Sequence, residues 1–150
     1  MSTETIPAVL RSVEVSVPPE RAFEVFTRRM SEWWPMQTHS IAEERAVGVR
    51  FEGWPGGKVV EIVDDGTEWE WAEVLAWEPP HRLVLAWHPT KEPTVSTEVE
   101  VRFSAFDGGT RVELEHRGWE RLGDLATTAR MDYDQGWLPV LGRYQGLASG

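Results

Sequence analysis

Apolar and polar residues alternate along most of the chain with the period of two that is typical of β-strands. In the first such stretch, residues 9–17, Val13 and Val15 face one way while Ser12 and Glu14 face the other. Turn-forming residues separate six further stretches, at residues 46–52, 58–63, 68–78, 82–88, 95–103 and 111–116. This spacing predicts seven antiparallel strands, of which the last six are joined as hairpins.

Strict alternation also predicts which side chains share a face of the sheet. The 46–52 strand should carry Val47, Val49 and Phe51 on one side. The apolar face of the 68–78 strand should carry Trp69, Trp71, Leu75 and Trp77. Glutamates occupy the opposite face of the longer strand, so one side of the sheet is expected to face solvent.

Two segments carry apolar residues at helical spacing instead. Pro18 and Pro19 end the first strand, and residues 19–30 read as an amphipathic helix. Residues 122–148 predict a long C-terminal helix, whose apolar stripe consists of Ala126, Ala129, Tyr133, Trp137, Leu141 and Tyr144. Pro139 removes one backbone donor, which predicts a kink near Gly136 or a restart of the helix. Residues 36–44 and 89–93 are predicted loops.

The resulting order is one strand, one helix, six strands and a last helix, which is typical of an α+β protein. A helix of about 27 residues spans roughly 40 Å and can run across the concave side of a bent sheet. We therefore expect a curved antiparallel sheet of about seven strands wrapped around the C-terminal helix. The chain of 150 residues fits one domain, residues 1–150. Bulky aromatic residues between the two layers predict an apolar cavity there.

Composition narrows the classes of function. The formal charge of −10 disfavours nucleic acid and anionic membrane surfaces as partners. The chain has no cysteine, and its first residues do not resemble a signal peptide, so we expect a cytoplasmic location. No apolar run is long enough to span a membrane. Nine tryptophans exceed what an ordinary core needs, which indicates a wide core or an aromatic binding surface.

The predicted layers assign a candidate wall to the cavity. The candidate ligand-binding residues are Trp69, Trp71, Trp87, Val99, Val101, His116, Tyr133, Trp137 and Leu141. Core filling is the alternative role for the tryptophans. His116 shares the apolar face of its strand, so it is either a cavity base or donor or a strand-end histidine satisfied by backbone or water.

Motifs for other chemistry are absent from the sequence. No nucleophile elbow, phosphate-binding glycine loop or cysteine nucleophile occurs. None of the four histidines stands at i+3 or i+4 spacing from another, so we predict no metal site. We likewise assign no catalytic residue and no cofactor.

Four segments resemble one known pattern in the expected order. They are VPPERAFEVFT…WWP (17–35), AEVLAWEPPHRLVLAW (72–87), TEVEVRFSAFDGGTRVELEHRGW (97–119) and GWLPVLGRYQGL (136–147). Together they resemble bacterial proteins similar to the C-terminal domain of the activator of Hsp90 ATPase, in the START-like or Bet v 1-like (SRPBCC) helix-grip superfamily. This resemblance implies the helix-grip fold with a cavity under the last helix. The superfamily includes lipid and hormone binders, polyketide aromatase/cyclases, oxygenase domains and a co-chaperone.

Three functions remain open. We favour the binding of a small hydrophobic or aromatic ligand in the cavity, without enzymatic activity. The alternatives are a cyclase-type enzyme using His116 and Tyr133, and a protein-interaction module related to Hsp90 co-chaperones. The eukaryotic activator has a separate N-terminal domain, and at most seven residues precede the first strand here, which weakens the chaperone hypothesis. The chain is expected to be a monomer or a homodimer.

Overall fold

The computed structural model describes residues 6–88 and 95–149. The strands are β1 (Val9–Val15), β2 (Ala46–Phe51), β3 (Lys58–Val63), β4 (Glu68–Glu78), β5 (Arg82–Trp87), β6 (Thr97–Phe106) and β7 (Gly109–Arg117). The helices are α1 (Pro19–Thr27), α2 (Met30–Trp33) and α3 (Ala126–Ser149). Short 3-10 segments, Glu43–Arg45 and Trp119–Leu125, precede β2 and α3. The predicted loop at residues 89–93 lies outside the described residues.

The seven strands form one antiparallel sheet in the order β1-β7-β6-β5-β4-β3-β2. Strands β2 to β7 each pair with their neighbours in the chain, and β1 returns to pair with β7, with Val9 opposite His116. The sheet curls into a half-barrel around α3. This arrangement confirms the predicted α+β class, the seven strands and the helix-grip architecture.

One irregularity of register interrupts each of the pairings β2–β3, β3–β4 and β4–β5. Val47, Trp71 and Leu75 are each an extra residue, without a counterpart on the neighbouring strand. The prediction that Val47 and Leu75 share the buried face was wrong, since these side chains are 64% and 48% exposed. A bulge reverses the alternation locally and increases the bend of the strand.

The helices differ from their predicted bounds at glycine and loop positions. The predicted helix over residues 19–30 is two helices, because α1 ends at Thr27 and α2 begins at Met30. Helix α3 begins at Ala126, four residues later than predicted, after Gly123, whose φ of 60° is non-helical. It then continues as one helix through Pro139, so the predicted restart does not occur.

Side chains from helices cover both edges of the sheet. At β2, the Ser31 hydroxyl accepts the Val49 N–H at 2.6 Å and donates to the Val49 carbonyl at 2.9 Å. At β1, Gln145 of α3 donates to the carbonyl of Glu14 at 2.8 Å. Covered edges offer fewer free backbone groups to other strands, which protects a sheet from edge-to-edge association.

Tyr144 joins α3 to the two shorter helices inside the core. Its side chain is fully buried, and its hydroxyl donates to the carbonyl of Ala22 at 2.8 Å. The ring meets Phe26 and Trp33 edge-on, with centroids 5.1 and 5.2 Å away. Such contacts hold the C-terminal half of α3 against α1 and α2.

Replacing Tyr144 with phenylalanine tests this link. Tyr144→Phe keeps the ring and removes one buried hydrogen bond, so the free energy of unfolding should fall by about 1 kcal/mol. Urea unfolding followed by circular dichroism measures the change, and an unaltered m-value would show that the same surface is exposed on unfolding. An unchanged unfolding free energy would contradict the role given to the hydroxyl.

Candidate ligand-binding cavity

A cavity of about 290 Å³ lies between α3, strands β4 and β5, and the segment that follows α2. Its wall is mainly aromatic, with a few polar groups towards one side. The lining residues are Trp34, His39, Ser40, Ile41, Trp71, Trp87, Asp132, Tyr133, Gly136, Trp137 and Val140. A largely apolar wall with a small number of polar groups is typical of sites for small organic molecules.

Four tryptophans form the inner part of this wall. The Trp34 ring centroid lies 5.0 Å from that of Trp71, 6.0 Å from that of Trp87 and 5.9 Å from that of Trp137. The rings meet tilted or edge-on, with interplanar angles from 45° to 88°. These four tryptophans therefore line the space, whereas Trp33 and Trp119 lie in the core outside the lining.

Each of these four indoles donates its N–H to a fixed acceptor. Trp34 donates to the His39 carbonyl at 2.8 Å, and Trp71 donates to the Glu61 carboxylate at 2.8 Å. Trp87 donates to the Tyr133 hydroxyl at 3.2 Å. Trp137 donates to His116 Nδ1 at 3.0 Å. Because a buried N–H without a partner is costly, these bonds hold the ring edges in place.

The Tyr133 hydroxyl is the central polar group of the wall. Burial raises the pKa of Tyr133, and the Trp87 hydrogen bond opposes this only in part, so the phenol is neutral at physiological pH. The oxygen accepts from Trp87, and no acceptor among the described residues lies within bonding distance for its own hydrogen. This O–H can therefore donate to a ligand in the cavity.

His116 lies behind the wall, fully buried between β7 and α3. Since Nδ1 accepts from Trp137, the proton sits on Nε2, which donates to the Thr97 hydroxyl at 2.7 Å. The Thr97 hydroxyl donates in turn to the Trp87 carbonyl at 3.3 Å. Burial lowers the pKa of His116 to about 3, so the ring is neutral. The imidazole thus orients Trp137 and does not reach the cavity.

The mouth of the cavity lies between α3 and residues 39–41. Lining residues that retain contact with solvent include exposed Asp132 and half-buried Gly136 on α3, and half-buried His39 and Ser40 on the facing segment. A Cβ atom added to Gly136 would lie 3.9 Å from the His39 ring, which is ordinary contact. The absence of a side chain at Gly136 therefore leaves the mouth wider, and a larger residue there would narrow it.

The structure brings part of the predicted wall together. Trp71, Trp87, Tyr133 and Trp137 line the cavity. His116 supports the wall from behind, while Val99, Val101 and Leu141 are buried in the core away from the cavity. Trp69 is half-buried and also lies outside the lining. The bulge at Trp71 breaks the common alternation that grouped Trp69 with Trp71.

Sequence reasoning missed two residues that hold the wall. Glu61, which accepts from Trp71, interrupts the apolar run of residues 59–63, and that isolated carboxylate was a usable signal. Thr97, the partner of His116, lies 19 residues away on the neighbouring strand. Only a correct register would have paired the two side chains.

Two features that are absent from the described residues bear on other functions. Within residues 6–88 and 95–149, no group of three or more His, Cys, Asp or Glu side chains is placed to hold a metal ion. In the same ranges, no helix is both long and apolar enough to cross a membrane.

A curled seven-stranded sheet that grips a long helix, with a cavity beside that helix, defines a helix-grip protein. The family model described as activator of Hsp90 ATPase homolog 1-like protein matches residues 16–143. The chain belongs to this family, in agreement with the resemblance in its four segments.

Solved structures extend the comparison. An anthrahydroquino-γ-pyrone synthase, Txn09, complexed with SUM, is 36% identical, with 97% of this chain and 99% of that chain covered and a TM-score of 0.66. Protein MLL2253 from Mesorhizobium loti is 21% identical, with 93% and 95% covered and a TM-score of 0.68. The Aha1 dimer from Colwellia psychrerythraea is 14% identical, with 96% and 97% covered and a TM-score of 0.67. The last two show the fold alone, and no curated protein matches the chain.

The buried, neutral His116 predicts a pH dependence of stability. The unfolded chain takes up a proton near pH 6.5, whereas the folded state takes it up only near pH 3. The contribution that neutral His116 makes to the free energy of unfolding is therefore complete above pH 6.5, and it is lost as the pH falls towards 3. Between pH 7.5 and 5.0, His116 should account for a decrease of about 2 kcal/mol in the free energy of unfolding, at about 1.4 kcal/mol per pKa unit.

The His116→Gln variant provides the comparison. Its free energy of unfolding, measured in urea at pH 7.5 and pH 5.0, should fall less than that of the wild type, because the titrating group is gone. Equal decreases in the two proteins would show that His116 is not held neutral in the folded state.

Proposed function

We propose that this protein binds a flat aromatic small molecule in the cavity between α3 and the sheet, with a carbonyl or similar acceptor of the ligand on the Tyr133 hydroxyl. The observation that carries the proposal is the wall of four tethered tryptophans around about 290 Å³ of space. Aromatic faces favour planar π-systems, and tethered rings lose little freedom on binding.

The size and polarity of the cavity support a ligand of two or three fused rings. Its volume lies at the lower end of the range for small-molecule sites, which is about 300–1,000 Å³. A ligand on the tryptophans would bring one edge to Tyr133 and the other to the mouth, where Asp132 and His39 stand. Hydroxyl groups on that outer edge would find acceptors there. Hydroxyquinones and related polycyclic phenols combine these features.

Binding of a hydroxyanthraquinone tests the proposal. Titration with 1,8-dihydroxyanthraquinone should quench the tryptophan fluorescence with saturation at one equivalent, because four indoles line the site. Gly136→Leu should weaken the affinity at least tenfold, since the new side chain would meet His39 across the mouth.

Gly142→Leu is the matched control on the same helix. A Cβ atom added at Gly142 meets no atom within 4 Å, so this variant should bind like the wild type. Free N-acetyltryptophanamide corrects for light absorbed by the quinone. Quenching that is linear and equal in all three proteins would contradict a site in the cavity.

A second candidate function is ring closure in the same cavity. The likeness to a γ-pyrone synthase, at 36% identity over nearly the whole of both chains, favours it specifically. In such a closure a phenol oxygen attacks a ketone carbonyl of the same molecule, and loss of water gives the pyrone. The Tyr133 O–H would stabilise the negative charge that develops on the attacked oxygen. His116 cannot act as the base, because it is buried behind Trp137.

The likeness to the Aha1 dimer carries less weight for this chain. At 14% identity this likeness supports the fold alone, and it provides no separate support for chaperone binding. The cavity therefore remains the better supported site of function.

Turnover of a simple hydroxyaryl diketone tests ring closure. 1-(2-Hydroxyphenyl)butane-1,3-dione should close to 2-methylchromone and water faster than in buffer, and Tyr133→Phe should lower this rate at least tenfold. Tyr144→Phe makes the same change away from the cavity and should retain the rate. Conversion no faster than in buffer would reject the enzymatic candidate and leave the binding proposal to its own test.

A further inference from the structure

Glu61 is a carboxylate buried in the interior, with 0% of its surface exposed. Oε1 accepts the backbone N–H of Ile41 at 2.7 Å and the indole N–H of Trp71 at 2.8 Å. Oε2 accepts the backbone N–H of Ala42 at 2.7 Å. Three donors and no acceptor match a carboxylate that acts only as an acceptor.

The three donors lie in two separate segments beside the cavity. Ile41 lines the cavity and Ala42 follows it, both in the rim segment, residues 39–42, whereas Trp71 is part of the inner wall on β4. Glu61 itself stands on β3 and lines no part of the cavity. A single side chain therefore fixes the rim segment and the Trp71 ring relative to the sheet.

Other bonds in this region act within the loop. The Trp34 indole donates to the His39 carbonyl at 2.8 Å, the His39 N–H donates to the Pro35 carbonyl at 2.9 Å, and the Ser40 hydroxyl bonds the Met36 carbonyl. These contacts shape residues 34–40 among themselves. Further along, the Ile41 side chain packs against the core and the Ala42 carbonyl accepts the Arg45 N–H at 3.1 Å. The backbone N–H groups of Ile41 and Ala42 are both held to the sheet by Glu61.

Core packing does not explain a carboxylate at this position. Among the described residues, Glu61 has no ion pair with an arginine, lysine or histidine. Removing such a charge from water is unfavourable, and an apolar side chain between Val60 and Ile62 would avoid that cost. The three hydrogen bonds that Glu61 accepts account for a carboxylate at this position.

We propose that Glu61 is a positioning residue of the binding site, which keeps the rim segment closed over the cavity and sets how fast a ligand enters and leaves. This inference rests on the proposed binding function. Opening of the mouth on the side of Ile41 requires the two backbone hydrogen bonds to break. Because Ile41 and Trp71 donate to the same oxygen, Oε1, this step also changes the hydrogen bonding of Trp71, so uptake of a ligand and adjustment of the wall are coupled.

The test compares Glu61→Gln with the wild type. Glutamine has nearly the same shape, but its NH₂ group must face one of the three N–H donors. Stopped-flow tryptophan fluorescence with 1,8-dihydroxyanthraquinone gives the association and dissociation rate constants. Both should rise about tenfold, the factor by which a hydrogen bond to a charged group stabilises a closed state, while Kd changes less than threefold.

Amide hydrogen exchange supplies a measurement that needs no ligand. The amides of Ile41 and Ala42 should exchange slowly in the wild type and at least tenfold faster in Glu61→Gln. Glu73→Gln is the matched control, because that carboxylate bonds Lys58 at the surface of the neighbouring strand. It should alter neither the exchange of the two amides nor the rate constants.

The outcomes separate the two proposals. A folded Glu61→Gln protein with unchanged rate constants and unchanged exchange would overturn the role of Glu61. If that variant does not fold, the wild type decides: slow exchange of both amides supports the role, and exchange as fast as in an unstructured chain overturns it. Absence of quenching in the wild type would instead reject the proposed ligand class, and the exchange data would still test Glu61.

Discussion

Each tryptophan that lines the cavity is tethered by its indole N–H. The acceptors are a loop carbonyl for Trp34, a carboxylate for Trp71, a phenol for Trp87 and an imidazole for Trp137. The four rings already contact one another, with centroids 5.0 to 6.2 Å apart. The hydrogen bonds oppose further movement of the rings into the space, which the burial of aromatic surface would favour. With the ring edges held in this way, about 290 Å³ remains open.

The acceptors themselves depend on a small set of buried polar contacts. His116 can accept from Trp137 only in its neutral form with the proton on Nε2, and Thr97 secures that form. Glu61 accepts from Trp71 and is itself held by the backbone N–H groups of Ile41 and Ala42. The apolar cavity in this protein is thus organised by two buried polar side chains, His116 and Glu61, that lie outside its lining. Their burial costs stability, which the aromatic packing and the sheet must offset.

Much of the architecture could be predicted from the sequence, because alternation and helical spacing are local signals. They placed seven strands and the long last helix, and they put Tyr133 and Trp137 on the helix face that meets the cavity. Local signals fail where a strand gains an extra residue. Bulges turned Val47 and Leu75 outwards.

The other differences between the predicted and the observed site residues arise from tertiary packing. Val99 and Val101 point to the same side of the sheet as the cavity, but the helices cover that part of the sheet and make it core. Glu61 meets donors 19 and 20 residues away in the chain, in a loop with no periodic pattern. Such a contact can be recognised only once the loop has been placed.

The most direct test of the central claim is an NMR titration of the tryptophan indole N–H resonances with 1,8-dihydroxyanthraquinone. The account predicts that the resonances of Trp34, Trp71, Trp87 and Trp137 shift together and saturate, while those of buried Trp33 and exposed Trp54 stay in place. Shifts confined to Trp54, or no saturable shift in the four lining tryptophans, would contradict a binding site between α3 and the sheet.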